Sequence, residues 1–143
     1  MVFDFIEQKD IMNLSKKYLL ILVLGITSIL KANAIDIPQE VVSGFNQGKA
    51  ELISKYFVSN IELTIDNKDN IYSKTQAEII LRDFFKKNIP QSFSINHEGG
   101  RGESKYIIGT LKTTQGNYRI TILLKQEDNK TLIHQLRIEK DAI

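Results

Sequence analysis

The stretch YRITILLKQEDNKTLIHQLRIE, residues 118–139, decides how this chain folds. Tyr118, Ile120, Ile122 and Leu124 alternate with Arg119, Thr121, Leu123 and Lys125. Leu132, His134, Leu136 and Ile138 then alternate with Ile133, Gln135, Arg137 and Glu139. A period of two is the pattern of strands that bury one face and wet the other. With turn residues between the runs, the stretch reads as a β-hairpin at the centre of the fold. A one-residue slip would turn every side chain over, so Leu124 and Leu132 share a face only if the loop is odd in length. A loop Glu127-Asp128-Asn129, with Asn129 left-handed, meets that condition and sets His134 opposite Ile122.

Working back along the chain, a turn at Gln115-Gly116 puts Ile107, Gly109 and Leu111 on the same face as Ile122, Ile120 and Tyr118. A five-residue loop over residues 99–103 then sets Phe93 opposite Gly109, an aromatic covering a glycine. The predicted inner face is Phe93, Ile95, Ile107, Gly109, Leu111, Tyr118, Ile120, Ile122, Leu124, Leu132, His134, Leu136 and Ile138. Ahead of it, Ser73-Lys74-Thr75-Gln76 is a capping box that opens a helix to about Asn88, with Ala77, Ile80, Leu81 and Phe84 as its apolar stripe. Ile61, Leu63 and Ile65 predict a strand ending in a turn-rich run, residues 66–70, with Ile71 and Tyr72 as a short return. Pro38 opens a short helix that Gly48 closes, and a second one spans residues 49–57. With the helices laid on the inner face, the fold class is α+β: a curved antiparallel sheet wrapped around about three helices.

The first third of the chain reads differently. Lys16 and Lys17, an apolar run over residues 18–30 and Ala32-Asn33-Ala34 form the three parts of a secretory signal, with cleavage expected after Ala34. The run is too short for the roughly 30 Å of bilayer hydrocarbon, so no membrane span is expected after cleavage. The acidic prelude before Met12 suggests that translation starts at Met12. Residues 35–143 then form a single exported domain, periplasmic or secreted, with a net charge of about +1 against +2 for the whole chain. That balance gives no case for nucleic acid. The chain has no cysteine, which excludes disulfides, thiolate metal sites and a thiol nucleophile.

The stretches Asp36-Ile37-Pro38, Ile71-Tyr72-Ser73-Lys74, Asp83-Phe84-Phe85, Tyr106-Ile107-Ile108-Gly109-Thr110-Leu111 and Gln135-Leu136-Arg137-Ile138-Glu139-Lys140 resemble an exported domain-of-unknown-function family from Bacteroidota. The order of elements is similar to the nuclear-transport-factor-2-like (cystatin-like) cone. The resemblance implies that fold and export, and it brings no catalytic or binding residues with it.

Enzymes of the wider superfamily set acids or bases inside the cone, where an apolar site suits a carboxylate to proton transfer. The predicted inner face carries no Asp or Glu, only His134 and Tyr118 as titratable groups. His134 is therefore the sole catalytic candidate, and a hydrogen-bonded core histidine is the plainer expectation. Tyr56, Tyr118 and His134 are the candidate ligand contacts. His97 and His134 lack metal-ligand spacing, the 66–70 run lacks the glycine and closing glutamate of a calcium loop, and neither metal nor cofactor is expected. On the outer face, Ile108, Leu123 and Ile133 are expected to line up as an apolar row, a candidate homodimer interface. Lys112, Arg119 and Arg137 run beside it, with Glu62 or Glu139 as expected partners. The reading that results is non-catalytic binding of a small apolar ligand or an envelope protein. The alternatives are a lyase or isomerase using His134, and an assembly subunit acting through the outer face.

Overall fold

The computed structural model describes residues 13–16, 18 and 34–141. Residues 13–16 and 18 are helical. The start at Met12 and most of the apolar run and cleavage motif lie outside the described residues. A compact unit begins at Ile35. No helix among the described residues is long and apolar enough to cross a membrane.

Helix α1, Gln39–Gln47, starts after Pro38 and ends at Gly48, which takes the left-handed conformation (φ 66°) that closes a helix at low steric cost. Helix α2 is only Ala50–Ser54, shorter than expected, because strand β1 (Phe57–Ile65) already begins at Phe57. Asp66 and Asn67, both at positive φ, turn β1 directly into β2, Lys68–Ser73. The expected loop is thus a two-residue hairpin turn of the kind Asp and Asn tolerate. Helix α3, Lys74–Lys87, has the full capping box: Gln76 N–H donates to the Ser73 hydroxyl and Ser73 N–H to the Gln76 carboxamide. Strands β3 (Pro90–Arg101), β4 (Ser104–Thr113), β5 (Gly116–Glu127) and β6 (Lys130–Lys140) complete the unit.

The six strands form one curved, open sheet in the order β2-β1-β6-β5-β4-β3. All neighbours are antiparallel except β1 and β6, which run parallel. Between β4 and β5, Ile107 pairs with Ile122, Gly109 with Ile120 and Leu111 with Tyr118, as alternation predicts. Phe93 pairs with Leu111 rather than Gly109, yet its ring lies on Gly109: a Cβ there would meet Phe93 Cε2 at 2.6 Å. The expected covering of glycine by an aromatic therefore holds through the ring.

The β5–β6 hairpin is where the register departs from expectation. Asp128 and Asn129 alone form its turn, both at positive φ, and Glu127 pairs with Lys130. A turn of even length would give β5 and β6 mismatched faces. A bulge at His134 corrects this: Leu124 pairs with Ile133, while Leu123 pairs with Gln135. Ile133 consequently points inward and is fully buried, and Leu132 and His134 face outward with Lys125 and Glu127. The structure so corrects three expectations. Leu132 and His134 leave the inner face, and Ile133 leaves the outer row for the core.

The helices close the concave face. Val41 and Phe45 from α1, Ile53 from α2, and Ala77, Leu81, Phe84 and Phe85 from α3 are buried against Ile107, Leu111, Ile120, Ile122, Leu124, Leu136 and Ile138. Rings interlock across this layer: Phe45 stacks on Phe93 at 4.8 Å, and Phe84 meets Tyr118 edge-on at 5.0 Å. Each such side chain contributes roughly 1.5–3 kcal/mol when fully buried. Ile35 and Ile37 also insert into the core, and Asp36 between them reaches Lys105 at 3.4 Å.

Candidate functional site: a cleft between α3 and the first hairpin

The concave face is packed, so the available space lies at its margin. A cleft of about 320 Å³ opens between α3 and the β1–β2 hairpin. Leu63 and Ile65 from the inward side of β1, Tyr72 from β2, and Ile80 and Phe84 from α3 give it apolar walls. Its charged lining comes from Asp66 in the turn, Lys68 at the start of β2, and Asp83 and Lys87 in the last turns of α3, all exposed. Asn88, which follows α3, completes the lining. β2 and β1 are the last two strands on this side of the sheet, and the cleft opens between them and α3.

Asn88 is fixed from two sides. Its Nδ2 donates to Phe84 O at 3.0 Å, and its Oδ1 accepts from the Tyr118 hydroxyl at 2.8 Å. Burial, and then the carboxylate of Asp66, raises the Tyr118 phenol above its usual range. Tyr118 is thus a neutral donor held beneath the cleft by a satisfied hydrogen bond.

The structure gives the three candidate contacts separate surroundings. None of them lines the cleft. Tyr118 bonds Asn88. Tyr56 donates to the Glu40 carboxylate, which Lys55 also approaches at 3.4 Å; the Tyr56 phenol is raised by that bond and the Glu40 carboxyl is lowered by it. His134 sits on the opposite face of the sheet, with Nε2 sealed from solvent and 2.7 Å from Glu127 Oε1. The carboxylate beside His134 comes from the neighbouring strand, two residues beyond Lys125, and no helix supplies it.

Alternation also misses a charged pair on the inner face. Glu98 pairs with Ile107 and so belongs to that face, where Lys105 Nζ meets it at 2.8 Å. The Lys105 ammonium is stabilised first by Glu98 and further by Asp36, and its pKa is raised. This network pins the start of the compact unit to the far rim of the sheet. The signal for the cleft in the sequence is slight: Asp66-Asn67 repeats the Asp-Asn dipeptide of the final hairpin, and a two-residue turn there brings Asp66 and Lys68 to the end of α3.

On the outer face, Tyr106 is 39% exposed and pairs with Leu123, and His97 pairs with Ile108. The Tyr106 ring covers Gly99 and its hydroxyl lies 3.3 Å from His97 Nε2. Arg137 bonds Glu139 at 3.1 Å, as the sequence suggests.

A family model described as a domain of unknown function, DUF4783, matches residues 38–139. A solved DUF4783 structure from Bacteroides ovatus is 37% identical, covering 77% of this chain and 100% of that one, with a TM-score of 0.73. One from Bacteroides fragilis is 40% identical, covering 74% and 100%, with a TM-score of 0.71. A domain of unknown function with a cystatin-like fold from Nostoc punctiforme is 8% identical, covers 73% of each chain and has a TM-score of 0.59. No curated protein matches. The distant likenesses show the fold alone, a nuclear-transport-factor-2-like, cystatin-like cone.

Proposed function

This chain belongs to the DUF4783 family of domains of unknown function, and from that premise we propose that it is an exported, non-catalytic binding domain. Its ligand is a small molecule with an apolar body, held between α3 and the β1–β2 hairpin. The observation that carries this reading is the pairing of a filled concave core with an open, apolar-walled cleft of about 320 Å³. That volume falls within the roughly 300–1,000 Å³ of small-molecule sites. A proton-transfer reaction finds less support. His134 faces away from the cone, and Asp66 and Asp83 at the cleft are exposed rather than set in the desolvated surroundings such chemistry uses. Export is supported by the signal pattern and by the compact unit beginning at Ile35, the residue that cleavage after Ala34 would leave first.

Native mass spectrometry of the protein purified from its own cell envelope tests both parts. The expected species starts at Ile35 and retains a small-molecule adduct, which Ile80→Trp, filling the cleft, abolishes while His134→Leu keeps it. An adduct-free protein, or one whose adduct survives Ile80→Trp, would overturn the cleft reading.

The outer face favours a second reading, pairing of two copies. Tyr106, Ile108 and Leu123 form a contiguous apolar block on neighbouring strands, and Ile133 plays no part in it.

A further inference from the structure

The charges around the cleft are unequally engaged. Asp83 is held by Lys86 at 3.6 Å along its own helix. Asp66 lines the cleft from the β1–β2 turn. Lys68 and Lys87 approach from opposite walls, one on β2 and one in the last turn of α3. Among the described residues, neither forms an ion pair with a protein carboxylate. Lys87 lies at the carbonyl end of α3, where both the backbone N–H and Nδ2 of Asn88 donate to Phe84 O. Two ammonium groups without an ion pair among the described residues thus flank a cleft of mixed apolar and charged lining.

Resting on the cleft reading above, we propose that the ligand is a monocarboxylate with a compact apolar body. Its carboxylate takes charge-assisted hydrogen bonds from Lys68 and Lys87, and its body packs on Leu63, Ile80 and Phe84. Asp66 is the opposing charge in this arrangement, so it sets a penalty that a ligand without a carboxylate would not incur. A volume at the small end of ligand sites fits an aryl or branched body.

The test is an amide chemical-shift titration of the exported protein with 3-phenylpropanoate, 3-phenylpropanol and 3-phenylpropylamine at pH 7, reading Tyr72, Ile80 and Asn88. The acid is expected to bind about tenfold more tightly than the alcohol, and the amine more weakly than either. Lys68→Met and Lys87→Met should each weaken the acid about threefold, the scale of an exposed ion pair, and leave the alcohol unchanged. Asp66→Asn should tighten the acid. Unchanged spectral dispersion in each variant shows that the fold is intact. Equal affinity for acid and alcohol, preference for the amine, or weaker acid binding in Asp66→Asn would overturn the carboxylate while sparing the cleft. Failure of all three probes to shift cleft residues would remove the cleft reading itself.

Discussion

Tyr118 shows how one side chain serves both the core and the margin of the cleft. Its ring packs edge-on against Phe84, and its hydroxyl satisfies Asn88, itself buried beneath the cleft. Tyr118→Phe keeps the ring but leaves the Asn88 acceptor unpaired, and should cost about 1–3 kcal/mol in urea unfolding at neutral pH. The phenol's pKa lies above its ordinary 10.0 in the folded state, so the folded protein holds that proton more tightly than the unfolded chain. Its contribution is whole below about pH 10 and is lost as the pH rises through the folded value. Stability of the native chain should therefore fall more steeply above about pH 10 than that of Tyr118→Phe. Parallel losses in the two proteins would assign the alkaline sensitivity to other groups.

At the scale of elements, the final hairpin couples a turn to a bulge. Asp128 and Asn129 form a two-residue turn at φ 49° and 60°, and the extra residue His134 restores the inward face of β6. Ile133 N–H also donates to Tyr56 O at 2.6 Å, linking the bulged region to the end of α2. A left-handed backbone at position 129 suits glycine better than asparagine and penalises a β-branched side chain. Asn129→Gly should leave stability equal or raise it by up to about 1 kcal/mol, whereas Asn129→Val should lower it by roughly 1–2 kcal/mol. Thermal unfolding of the two variants decides this. If valine were tolerated as well as glycine, the left-handed backbone at position 129 would be overturned.

For the molecule as a whole, the sheet has two differently dressed faces. The inner one is buried against three helices, and the outer one carries the Tyr106–Leu123 block beside a polar field in which Gln135 donates to Glu62 and Arg137 to Glu139. If two copies pair through this block, sedimentation equilibrium at tens of micromolar should show a dimer that Tyr106→Glu converts to monomer. A monomer throughout would leave the outer face as ordinary solvated sheet. The long edge strand β3 is poorly suited to the alternative of strand addition, because register shifts follow Pro90 and Ile95 and interrupt its ladder.

Much of this was already determined by the sequence alone. Alternation in residues 105–125 fixed the β4–β5 pairing, because a strand with one buried face tolerates no slip. The capping box and the Ala77, Leu81, Phe84 stripe fixed α3 in the same local way. The side on which Ile133 and His134 fall could not be read locally. A two-residue turn with a bulge and a three-residue loop without one both preserve an apolar face, and only pairing with β5 and the contact to Tyr56 distinguish them. The cleft was decided by tertiary structure for the same reason: Lys68 and Lys87 are nineteen positions apart in the chain, and what brings them to one cavity is the packing of α3 against the β1–β2 hairpin.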